Sequence, residues 1–272
     1  VLLLCGLVIP LSATFVRGSR LLFGGVPGAY LEFDRQMAVM ALGLAPSAMV
    51  SGWLFRSAAG KRAERGGTLA GAYGMESAGG LFGGLLPAVG LALGIQNFVL
   101  ACAAPALALI PLACFDRLRW RQIGAGVLAA CSIAAGLVFD EPTTRWNHPD
   151  LVEAHDSPYG RLAVVSHGSA LAVFQNDALW FESEGVEAET FVHVAAVQAE
   201  PLSRVLVLGG GASGLVAEAL AHDPERIDWV EVDPSVARVI GPRLPSRLRD
   251  PLGDERVKPA IADPRHFLRE AG

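Results

Sequence analysis

Cysteine is scarce and poorly placed for chemistry. Four occur in 272 residues, Cys5, Cys102, Cys114 and Cys131, all inside apolar stretches and none in a CxxC pair. No His/Cys spacing resembles a metal site, so the four thiols read as small apolar residues packed in helices. Charge is also sparse, at 18% of residues, and no basic surface large enough for nucleic acid is evident. An initiating methionine is missing; a signal peptide would need a basic start and a small-residue cleavage site, and residues 1–16 read instead as the tail end of a spanning helix. With Val1 at one end and Gly272 following a strand-like run at the other, the chain reads as a piece of a longer protein.

Apolar residues are abundant instead, at 52%, with a mean hydropathy of +0.40. Their distribution is uneven. Residues 1–140 carry ten Lys and Arg against six Asp and Glu, whereas residues 141–272 carry twelve against twenty-one. An apolar, slightly basic half followed by an acidic half implies a membrane region joined to a soluble domain. Five runs are candidate spans: 1–16, 37–55, 68–93, 97–115 and 122–139. They are rich in Gly and Ala, as in GGLFGG and GAGVLAAC, and small residues let spanning helices approach closely. Glu76, within GAYGMESAGGLFGG, reads either as an intramembrane carboxylate for transport or proton relay, or as a residue near the interface.

Orientation does not follow cleanly. The loops KRAER (61–65) and DRLRWR (116–121) are the most basic and are expected on the cytoplasmic side, two helices apart. One further helix at 122–139 would then put the acidic domain outside, although a domain using a cytosolic cofactor belongs inside. The count within 68–115, or a non-spanning 122–139, is where this conflict is expected to resolve.

Residues 141–156 are polar and proline-containing and read as a linker. RLAVVSH, ALAVFQN and ALWFES follow as short β-type runs separated by His-Gly-Ser and Asn-Asp, the pattern of a small antiparallel meander. Residues 187–199 have helical spacing. Strands at 204–209, 227–232 and 257–261 then alternate with helices at 214–222 and near 234–240, which implies a parallel, doubly wound sheet.

Within that sheet Gly209, Gly211 and Gly214 fit G-x-G-x-x-G between a strand and a helix, with Gly210 inside the turn. Such a turn brings backbone close to a ligand at a helix start. Glu231 ends the next strand about 20 residues on, where a carboxylate can accept hydrogen bonds from ribose hydroxyls. Alone, the pattern fits NAD, FAD, S-adenosyl ligands or a purely structural turn. Asp263, directly after the third strand, adds an acid able to bond an adenine amino group, a contact that dinucleotide folds do not require. Asp233 reads as a cap on the following helix, with Pro234 at its first position. His193 reads as a histidine packed on the helix over 187–199.

These residues together resemble the spermidine synthase family, the polyamine aminopropyltransferases, and more closely its bacterial membrane-fused members. The resemblance covers roughly residues 157–272. It rests on SPYGRLAVV, AETFVHVAA in place of DE-x-x-YHE, VLVLGGGASG in place of VL-x-x-GGGDGG, WVEVDPSV, and ADPRHFL in place of D-G-R-x-F-L. By position, Gly209 and Gly211 match the family's turn, Glu231 its ribose-binding acid, Asp263 its adenine-binding acid and His193 its amine-side histidine. The amine side departs elsewhere. Gly160 stands where a glutamine is frequent, Val192 replaces a tyrosine, Pro264 a glycine, and Ala212 the aspartate that holds the donor's amino group. Losing a charged hydrogen bond of about 1.5–3 kcal/mol weakens binding about ten- to a hundredfold.

The resemblance implies a multi-pass helical membrane region (1–140), a linker (141–156), a β-meander (157–186) and a partial class I S-adenosylmethionine-binding, Rossmann-like sheet (187–272). It implies decarboxylated S-adenosylmethionine or S-adenosylmethionine as co-substrate, with no permanently bound cofactor, and a polyamine or other amine as acceptor. Membrane lipid and a second copy in a homodimer are the implied partners, and the bacterial inner membrane, with the soluble domain cytoplasmic, is the implied location. The family's general base follows a fourth strand beyond Gly272, so no catalytic residue is assigned. Two alternatives stay open: an S-adenosylmethionine-dependent methyltransferase, and a membrane transporter or sensor with a non-catalytic nucleoside-binding domain.

Overall fold

The computed structural model describes residues 2–115, 119–168, 170–199 and 202–271. The chain divides into two compact units, Val1–Pro149 and Asp150–Gly272.

The first unit is helical: α1 (Leu2–Leu22), α2 (Phe33–Glu64), α3 (Leu69–Ala92), α4 (Asn97–Phe115) and α5 (Arg119–Arg145). Every run read as a span from the sequence is a helix. Thr68 caps α3, its hydroxyl accepting the Gly71 amide at 3.1 Å. A tight turn at 93–96, with Gly94 at φ +82°, separates α3 from α4. Two helices therefore fill 68–115, and merging them does not relieve the conflict over orientation. Of the basic loop 116–121, residues 116–118 lie outside the described residues, as do the side chains of Cys5 and Cys114.

Small residues set the helix contacts, as their abundance suggests. A Cβ on Gly136 of α5 would stand 3.1 Å from the Val99 Cα of α4, and Ser132 donates to the Cys102 carbonyl at 2.6 Å. Cys102 is buried, whereas Cys131 is exposed. The outward faces remain apolar, with Leu44, Met49, Leu81, Phe82, Leu137 and Val138 all exposed. Helices α2, α3 and α5 are long and apolar enough to cross a membrane, and α4 carries a shorter apolar stretch, Asn97–Ile110.

A polar clamp closes one end of this bundle. The Arg17 guanidinium pairs with Asp140 Oδ1 at 2.7 Å, donates to Thr143 Oγ1 at 2.8 Å, and lies 4.2 Å over the Phe98 ring. Asn147 donates to the Arg17 carbonyl at 3.0 Å, so the end of α5 is tied to α1.

The second unit opens with four antiparallel strands in sequential order: β1 (Leu151–Ser157), β2 (Gly160–His167), β3 (Ala170–Gln175) and β4 (Ala178–Glu182). This corrects the linker over 141–156. Helix α5 runs on to Arg145, and β1 occupies most of the rest. The polar residues of LVEAHDS hid the strand, and two of its acids are paired: Asp156 with Arg161 at 2.7 Å, and Glu153 with Arg243. Asn176 and Asp177 both take positive φ, +52° and +63°, the geometry of a two-residue hairpin turn. Strand β2 is buried on both faces. Leu162 and Val164 pack with Val173, Phe181, Val236 and Ile240, while Ala163 and Val165 pack with Leu151 and Phe174.

Helix α6 (Glu187–Ala196) leads to β5 (Arg204–Leu208), α7 (Leu215–Leu220), β6 (Arg226–Glu231) and, after short helical turns that include α8 (Ser246–Arg249), β7 (Val257–Ile261) and α9 (Pro264–Ala271). Strands β5, β6 and β7 are parallel in that order. The helix expected near 234–240 is present, and its main part, Val236–Ile240, is wound as a π-type turn. Val207, Val216, Ile227, Trp229 and Val257 form the core between this sheet and α7.

Candidate functional site

Parallel pairing places the ends of three adjacent strands side by side. Leu208 pairs with Val230, and Glu231 with Ile261. The Gly209 amide donates to the Val230 carbonyl at 2.8 Å, and the Ala262 amide to the Glu231 carbonyl at 3.1 Å. Gly209, Glu231 and Asp263 thus stand along one carboxyl edge, where open α/β sheets hold ligands. His193 belongs to another neighbourhood. It lies on α6, its Nδ1 2.6 Å from His222 Nε2 and its Nε2 3.5 Å from Glu218 Oε2.

The glycine turn has two separate physical causes. Gly209 and Gly210 adopt φ of +74° and +69°, a left-handed pair that L side chains rarely enter. Gly211 is needed for space: a Cβ there would collide with the Trp229 indole, 2.5 Å from its Nε1. The ring of β6 fills the room that the missing side chain leaves.

Glu231 is 5% exposed. Its Oε1 accepts the Val232 amide at 3.0 Å and the Asp233 amide at 3.4 Å, while its Oε2 is buried without a hydrogen-bond partner among the described residues. Burial pushes this carboxyl above the ordinary range, and the two amide bonds pull the other way. A buried acceptor with a free lone pair is costly unless something bonds to it. A ligand hydroxyl at the sheet edge is a suitable donor.

Asp263 is exposed and caps α9, its Oδ1 accepting the Arg265 amide at 2.7 Å, with Pro264 at the first helical position. The Asp-Pro pair signals such a cap, as it does at Asp233-Pro234. Asp233 does behave as expected, accepting the Ser235 amide at 2.8 Å, and it also accepts the Ser157 hydroxyl at 2.6 Å. Ala212 is 1% exposed, within the cluster of Leu162, Phe181, Val236 and Leu248. A carboxylate at this position would be buried in hydrocarbon. No group of three or more His, Cys, Asp or Glu able to hold a metal occurs among the described residues.

A strand–glycine turn–helix with an acid at the next strand end is an arrangement suited to a nucleoside ligand. Residues 184–272 match the family model described as the spermine/spermidine synthase domain. A polyamine aminopropyltransferase of Prochlorococcus marinus is 35% identical over 109 residues, covering 38% of this chain and 37% of its own length. Polyamine aminopropyltransferase 2 of Streptomyces coelicolor is 29% identical over 240 residues, 77% of this chain and 41% of its own. Among solved structures, a spermidine synthase in complex with the transition-state analogue AdoDATO matches with a TM-score of 0.41 and 22% identity, over 46% of this chain and 44% of that one. The chain therefore spans about two fifths of the length of these relatives.

Proposed function

We propose that this chain is the membrane-attached, nucleoside-binding part of an aminopropyltransferase. In that reaction an amine nitrogen attacks the methylene carbon beside the sulfonium of decarboxylated S-adenosylmethionine. The carbon–sulfur bond breaks, methylthioadenosine leaves, and the new secondary ammonium gives up a proton. The observation that carries the reading is the unpaired, buried Oε2 of Glu231 beside the glycine turn, within the stretch that matches the synthase domain. Glu231 would accept from the ribose hydroxyls and Asp263 from the adenine amino group, with the Gly209–Gly211 backbone against the ligand. The apolar outward faces of α2, α3 and α5 support anchoring in a bilayer, the bacterial inner membrane in this reading.

A second reading, methyl transfer from S-adenosylmethionine, is favoured by one observation. Ala212 is sealed in the core, so the donor ammonium has no anion at that position. Calorimetric titration of the chain in detergent with decarboxylated S-adenosylmethionine, S-adenosylmethionine and NAD tests both. Preference for the decarboxylated donor supports aminopropyl transfer, and preference for S-adenosylmethionine moves the assignment to methyl transfer. Binding of NAD alone, or of none of the three, overturns the proposal.

A further inference from the structure

Among the buried polar atoms that have no hydrogen-bond partner among the described residues, two lie on one strand, two residues apart: Glu231 Oε2 and Trp229 Nε1. Alternation along β6 puts residues 229 and 231 on the same face. One atom is an acceptor only, the other a donor only. The pyrrole edge of the indole lies against Gly211, in the space that a Cβ would fill, so the unused N–H is held at the glycine turn itself.

We propose that Trp229 is a ligand-positioning residue, its Nε1–H donating to a ribose hydroxyl oxygen of the bound nucleoside while Glu231 Oε2 accepts from that sugar. The assignment rests on the nucleoside reading of the turn. Its physical basis is the matching of donors and acceptors. A hydroxyl both gives and takes a hydrogen bond, and a carboxylate alone satisfies only the first capacity. An N–H beside the carboxylate satisfies the second. The apolar role of the ring does not explain the nitrogen, because a phenyl ring would fill the core of Val207, Val216 and Ile227 without burying a donor.

The test uses the chain in detergent and 5′-methylthioadenosine, the nucleoside that aminopropyl transfer releases. Trp229→Phe is expected to weaken binding about five- to tenfold, the worth of one hydrogen bond, and to leave thermal stability unchanged or raised. Equal affinity in the two proteins overturns the proposal. Failure of the wild type to bind at all overturns instead the nucleoside reading on which it rests. Should the variant not fold, the wild type still decides. With indole-¹⁵N labelling, one of the five tryptophan Nε1–H resonances must move downfield on saturation with the nucleoside. An unmoved set removes the hydrogen bond.

Discussion

The Ser157 hydroxyl donates a 2.6 Å hydrogen bond to Asp233 Oδ2, joining the end of β1 to the loop that follows β6. Both residues are buried, and the same serine oxygen accepts the Tyr159 amide at 3.1 Å. The SPYG turn is therefore held by the loop after Glu231. Asp233→Ala should destabilise the second unit by about 1–3 kcal/mol, since it strands the Ser235 amide and leaves the Ser157 hydroxyl only the Gly160 carbonyl as acceptor. Ser157→Ala should cost less, and the double variant should fall short of the sum. Unfolding followed by near-ultraviolet circular dichroism measures all three, and strict additivity would separate the residues.

Gly211→Ala places a methyl group into the Trp229 ring. Overpacking of this kind costs about 1–3 kcal/mol. A compensating Trp229→Phe in the same chain gives up roughly the volume that the methyl adds and should recover most of the loss. Melting temperatures of the single and double variants check this. A melting temperature in Gly211→Ala equal to that of wild type would show that the turn opens without strain.

Glu231 carries a pH signature of opposite sign to that of a paired surface acid. Its folded carboxyl titrates above the ordinary value because burial disfavours the charge. The folded state thus holds the proton more tightly than the unfolded chain, and stability rises as pH falls from neutral through the folded pKa. Glu231→Gln should be more stable than wild type at pH 7, with the difference closing as pH falls through the folded pKa and below the unfolded value of 4.5. The same variant should bind the nucleoside at least about tenfold more weakly, because the charged acceptor is gone. Asp254 works the other way. Held at about 2 by hydrogen bonds from Arg256, its contribution is present above the unfolded value of 3.8 and is lost as pH falls toward 2. Denaturation midpoints between pH 3 and 8 separate the two groups.

Periodicity and turn chemistry were legible from the sequence wherever one force dominated. Long apolar runs gave the five helices, Asn176-Asp177 gave its hairpin, and the glycine turn with Glu231 and Asp263 came together at one sheet edge. Strand β1 was illegible because its acids are neutralised by Arg161 and Arg243, and the partner Arg243 is remote in sequence. Trp229 had no local signal either. Its importance arises from Gly211, eighteen residues earlier, and only the parallel pairing of β5 with β6 brings the two together. The apolar burial of Ala212 likewise depends on β2, β3 and β4 folding back over the turn.

The Arg17–Asp140 pair should respond to mutation as a buried unit and not as a surface ion pair. Both side chains are about 85% buried, and the guanidinium also bonds Thr143 and covers Phe98. Removing one partner leaves the other charge without its ion-pair partner in a largely buried place, which costs about 3–5 kcal/mol. Arg17→Met and Asp140→Leu should each sharply lower the melting temperature of the helical unit in detergent. Combining them removes both charges and both desolvation penalties, so the double variant should recover much of the loss, although Thr143 and Asn147 keep it below wild type. A double variant as unstable as the worse single one would show that Arg17 acts through its carbonyl and hydroxyl contacts. In that case α1 would be fixed to the end of α5 by hydrogen bonding, with the ion pair incidental.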